Sequence, residues 1–113
     1  MRIGLLAFTL VLGISSLAGV DVAQAREGRP SQWCGWWMRT QLGGGPEYNL
    51  AANWRNWGRA AHAHVGAVVV WPHHVGIITG QKSNGQWIVK SGNDGGAVRE
   101  RARSVSGAVF RAG

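Results

Sequence analysis

A chain of 113 residues with 12 Lys and Arg against 5 Asp and Glu has a formal charge of +7, and that size allows one small domain with a modest core. The single cysteine rules out an internal disulfide framework; seven tryptophans, each burying on the order of 200 Å², supply apolar area in its place. The basic residues are scattered singly, with only Arg99, Arg101 and Arg103 closely spaced, which argues against a dedicated nucleic-acid surface while favouring some anionic neighbour.

The first element is a leader. Met1 and Arg2 give a positive start, Ile3 to Val20 is almost wholly apolar, and Ala23-Gln24-Ala25 has the small-x-small form that signal peptidase accepts. Residues 1–25 are therefore expected to be removed, leaving 26–113 as one domain in the periplasm or outside the cell, with no membrane span after cleavage. The rival, an uncleaved anchor, needs the same run to cross a bilayer; its glycines and serines and the cleavage site that follows favour export. Outside a bacterial cytoplasm the polyanions are wall peptides, wall polymers and outer-membrane lipids.

Ser31 is positioned to cap a helix in which Trp33, Trp36 and Trp37 fall at i, i+3 and i+4, and which Leu42-Gly43-Gly44-Gly45 stops. Pro46 and Glu47 suit the start of a second helix, with Leu50, Trp54 and Trp57 recurring along it until Gly58. Residues 59–64 are expected to be a flexible link. Val65 to Trp71 is a short β-branched run of a buried strand, broken by Pro72. His74 to Gly80 and Gln86 to Lys90 form the next two strands around the Asn84-Gly85 hairpin signal. Ser91 to Gly96 has the composition of a loop, and short strands are expected at 97–101 and 107–111. Helices followed by a meander of strands imply an α+β domain, with N-terminal helices packed on a small antiparallel β-sheet.

Cys34 falls in the first turn of the first helix, where unpaired backbone N–H groups and the macrodipole favour a thiolate and can also serve a developing oxyanion. A working thiol needs an imidazole, and the imidazole a third group to orient it. His62 and His64 are expected on the surface. His73 and His74 open a strand after a Pro-broken turn; alternation alone does not choose between them, although Gly76 leaves room on the face of His74. For the third member, Asn93 or Asp94 in the loop after the next strand would lie beside His74. A zinc site built from Cys34 and the histidines would need a spacing that H-x-H plus H-H does not match, so no metal or other cofactor is expected.

Trp33-Cys34 opening a helix, Tyr48 to Gly58, Val65 to Val70 leading into His74-Val75-Gly76-Ile77-Ile78, Ser91-Gly92-Asn93 and the final Val109-Phe110-Arg111 together resemble the small papain-like cysteine peptidases of the NlpC and CHAP (cysteine, histidine-dependent amidohydrolase/peptidase) type. The resemblance runs over about residues 31–111. It implies a papain-like fold and hydrolysis of amide bonds in bacterial cell-wall peptides, with Cys34 as nucleophile, His74 as base and Asn93 as the polar third residue, and peptidoglycan or a peptide as substrate. His73 stands where a small residue is more usual in that family. The alternatives are a catalytically silent, cationic wall-binding module of the same fold and a cationic secreted protein directed at membranes or nucleic acids.

Overall fold

A computed structural model describes residues 29–113; the expected leader, residues 1–25, lies outside them. The described chain is an α+β fold containing one α-helix, two 3₁₀ segments and a six-stranded antiparallel sheet. Helix α1 spans Cys34–Leu42, the 3₁₀ segments Pro46–Asn49 and Ala51–Asn56, and the strands are β1 Arg59–Ala61, β2 Val68–Trp71, β3 His74–Gln81, β4 Trp87–Asp94, β5 Ala97–Ala102 and β6 Val109–Ala112.

The helix begins later than its capping signal suggests. Trp33 occupies the N-cap and no side chain caps it, so Ser31 stays outside. Gly43 ends the helix at φ 82°, returning its N–H to Arg39 O at 2.8 Å. Arg39 then ties this end to the next segment through Gly44 O at 3.0 Å and Asn49 Oδ1 at 2.8 Å.

The expected second helix is a pair of 3₁₀ segments instead, split at Leu50, whose backbone is extended (φ −84°, ψ 120°). Leu50 is accordingly exposed. Tyr48, Ala51, Trp54 and Trp57 are spaced by three, and a helix of three residues per turn stacks i and i+3 on one face. All four pack into the core beneath α1. Trp54 is fully buried, lies 4.8 Å from the Tyr48 ring and donates its indole N–H to Tyr48 O at 2.8 Å, which satisfies the one polar atom that its burial would otherwise strand.

The sheet order is β1-β6-β2-β3-β4-β5. β2 to β5 form the expected meander, while β6 crosses back to pair with β2. The link 59–64 is partly a strand: Arg59, Ala60 and Ala61 pair with Ala112, Arg111 and Phe110. Such pairing is invisible in a short Arg-Ala-Ala stretch, because its partner lies at the far end of the chain. β4 also runs further than its composition suggests, through Ser91 to Asp94, with a register shift between Ser91 and Asp94 and Asn93 at φ 53°. Turn-forming residues are tolerated there because the bulge supplies the kink they favour.

Two clusters sit on the two faces of the sheet. Val68, Val70, Val75 and Ile77 pack with Trp33, Cys34, Trp37, Met38 and Trp54 on the helical side. Ala67, Val69, Ile78 and Val89 pack with Trp71, Trp87 and Phe110 on the other. Helix α1 lies over β3 and β4. Its close seat depends on Gly92: a Cβ there would come within 2.5 Å of Trp37 Cβ and 3.0 Å of Trp33 Cζ3. Only glycine fits that contact.

Candidate active site

Cys34 is the first residue of α1 and is 4% exposed. Its side chain packs in the helical-side cluster with Val75. The thiol is directed at His73 O, 4.0 Å away, and the sulfur receives the backbone N–H groups of Val75, Gly35 and Cys34. Those donors and the charge of Arg103 pull the thiol pKa down, as expected of a helix start. Burial outweighs them and holds it above its ordinary value. The resting side chain is therefore a thiol, which corrects the expectation of a thiolate.

The structure distinguishes the two adjacent histidines. His73 is exposed in the turn between β2 and β3, as are His62 and His64 in the preceding segment. His74 is half-buried and opens β3 opposite Trp71. Its rings and neighbours place it on the face away from α1: strand alternation groups it with Gly76 and Ile78, and its ring centroid lies 5.6 Å from that of Trp71. Desolvation, with the charges of Arg103 and Arg101, lowers its pKa to about 4 against a smaller opposing pull from Asp94. At neutral pH the imidazole is uncharged.

The sulfur thus touches the peptide groups on both sides of His74, while the imidazole leaves that backbone toward the opposite face. Among the described residues no hydrogen bond joins thiol and imidazole. One imidazole nitrogen is fixed: Nε2 is 2.8 Å from Ser91 Oγ, and Ser91 is fully buried. Asn93, expected as the third member, lies two residues further along β4 beyond the bulge, and no His74–Asn93 hydrogen bond forms among the described residues. Gly76 makes the Ser91 contact possible, since a Cβ at that position would lie 2.6 Å from Val89 Cγ1 and 3.0 Å from Ser91 Cβ.

Sequence reasoning passed over Ser91 because it opens a run with the composition of a loop. The available signal was strand period: Ser91 follows Val89 by two and therefore shares its buried face. Asp94, the other candidate third residue, is committed elsewhere. It is 5% exposed and accepts two hydrogen bonds from Arg101, Nε to Oδ2 at 2.7 Å and Nη2 to Oδ1 at 2.6 Å. Arg101 holds its carboxyl below the usual carboxylate range. Arg99 donates to Asp94 O at 2.7 Å, and Arg103 Nη1 stands 3.6 Å from Asp94 Oδ2.

No group of three His, Cys, Asp or Glu that could hold a metal ion occurs among the described residues, and no helix among them is long and apolar enough to cross a membrane. In comparisons with known proteins, no family model, no curated protein and no solved structure matches the chain. Any functional reading therefore rests on the residues and their geometry.

Proposed function

We propose that this protein is an exported, papain-like cysteine hydrolase of amide bonds in bacterial cell-wall peptides. The observation that supports the reading most is the pairing at the start of β3: a helix-start thiol lies against the backbone of a histidine whose far nitrogen is held by a buried serine. With Nε2–H donating to Ser91 Oγ, Nδ1 carries the free lone pair. Ser91 then takes the orienting role that the motif alone assigns to Asn93.

The cycle starts from a neutral pair. The imidazole and the sulfur lie on opposite faces of the sheet at the start of β3, so a side-chain rotation is not enough: for Nδ1 to reach the thiol, substrate binding has to turn over the backbone at His73 and His74. Nδ1 takes the thiol proton as Cys34 Sγ attacks the amide carbonyl carbon. At rest the N–H groups of Cys34 and Gly35 face the sulfur; as charge passes from sulfur to the carbonyl oxygen they would be released to receive the oxyanion. The imidazolium returns its proton to the leaving amine, the C–N bond breaks, and a thioester remains on Cys34. Water, deprotonated by His74, then hydrolyses it to a carboxylic acid and restores the thiol.

A second reading is a catalytically silent wall-binding module of the same fold. The unjoined thiol and imidazole and the 4% exposure of Cys34 favour it. The test is release of peptides from purified peptidoglycan together with sedimentation on it. The hydrolase reading predicts that Cys34→Ala abolishes release, by at least about 10³-fold, while sedimentation is retained. Wild-type protein that sediments without ever cutting would establish the silent module.

A further inference from the structure

The hairpin that joins β2 to β3 turns on two residues, Pro72 and His73, between the paired Trp71 and His74. Two-residue hairpins favour primed turns, whose first loop residue has a positive φ, because other turns splay the strands they join. Proline is locked at about −65°, and among the described residues Asn93 is the only non-glycine with a positive φ. Pro72-His73 is therefore an unprimed turn, and its geometry opposes the pairing beside it. The ladder to β4 gives no help at this end of β3, since it begins only at Ile77 and Lys90.

Contacts from three other parts of the chain hold the turn instead. The Trp71 indole N–H donates to Ser104 O at 3.2 Å, and His74 Nε2 meets Ser91 Oγ at 2.8 Å. From the helical side, the Cys34 thiol is directed at His73 O, 4.0 Å away, and the sulfur accepts the Val75 N–H. His73 is exposed while Cys34 is buried, so the His73 peptide lies between the sulfur and solvent.

We infer that the segment from Trp71 to His74 is a gate over Cys34, and that the resting fold is its closed, latent form. The gate opens by local release of a poorly matched turn, while the rest of the sheet stays folded. Access to the sulfur is controlled in this way whatever the chemistry. The regulatory consequence rests on the hydrolase reading: the backbone turnover that brings His74 to the thiol is the same movement that uncovers it, so the site is assembled only in molecules that have engaged a wall peptide.

The test is the rate at which iodoacetamide alkylates Cys34 in the full protein at low urea concentrations, set beside the urea unfolding midpoint. Releasing a two-residue turn exposes little surface, so labelling should be slower than in a free thiol peptide and nearly independent of urea below the unfolding transition. Two tryptophan variants then separate gate from core. Trp71→Phe keeps a ring but removes the N–H given to Ser104 O, and should speed labelling about fivefold, the scale of one hydrogen bond. Trp57→Phe trims an aromatic that packs on Trp54 and should leave the labelling rate unchanged even where it lowers the midpoint. Labelling that climbs steeply with urea, that follows the midpoint equally in both variants, or that matches a free thiol peptide overturns the gate. Trp71-dependent labelling without peptide release from any variant would remove the hydrolase and leave the gate standing, whereas release with labelling only through global unfolding would remove the gate alone.

Discussion

The two faces of the sheet solve different problems. The face under α1 is a dry layer in which Trp33, Trp37, Met38 and Trp54 close over Val68, Val70 and Val75, and its only candidate reactive atom is the sulfur of Cys34. The opposite face begins with a similar aliphatic centre but becomes polar toward the start of β3, where Trp71, His74, Ser91, Asp94, Arg101 and Arg103 meet. Apolar burial stabilises the first; hydrogen bonds and charge set protonation in the second. The proposed chemistry joins them at the one strand residue whose backbone faces the sulfur and whose side chain belongs to the polar side.

The difference is tested most severely by removing mass from the dry face. Trp54→Ala should destabilise the fold by about 3–5 kcal/mol in urea unfolding, the range for deleting a buried aromatic, and it also strands Tyr48 O. A loss below about 1 kcal/mol would mean that the tryptophan layer contributes far less than its burial implies.

Acid should act on the polar face. His74 titrates near 6.5 when unfolded and at about 4 in the fold, so between those values protons bind the unfolded chain preferentially. Stability is then complete above pH 6.5 and declines as the pH falls toward 4, with Asp94 adding to the loss below 3.8. Cys34 shifts in the opposite sense, so stability declines again as the pH rises past 9.0. Urea midpoints measured across pH should show a plateau between those limbs, and His74→Phe should flatten the acid limb. An acid limb of the same depth in the variant would remove His74 from the explanation.

The smallest effect separates neighbours. His73→Ala alters an exposed turn residue and should change stability by less than about 0.5 kcal/mol and leave peptide release near the wild-type rate, whereas His74→Ala should abolish release. Equal losses in the two variants would undo the choice between them.

Much of this arrangement was legible in the residues. The β-branched run of β2, the Asn84-Gly85 turn and the placing of Cys34 at a helix start follow from local pattern, and so does the exposure of His62 and His64. Other features depend on tertiary partners. The stretch from Pro46 to Gly58 combines four- and three-residue spacings; the Tyr48, Ala51, Trp54, Trp57 series decides for 3₁₀ geometry once Leu50 turns outward. β1 exists only because β6 returns beside it. Ser91 lies within a run of turn formers, and its burial requires both the glycine opposite, Gly76, and the bulge that carries β4 past it. The thiol's raised pKa follows from the thickness of the tryptophan layer, which spacing along one helix does not disclose.

The most direct measurement of the central claim is the mass of the protein mixed with peptidoglycan peptides and quenched in acid within the first turnovers. A thioester on Cys34 should add the mass of the carboxylic acid product less one water, disappear on treatment with hydroxylamine, and be absent in Cys34→Ala. Peptide release that continues in Cys34→Ala, with no adduct on the wild-type cysteine, would contradict the claim.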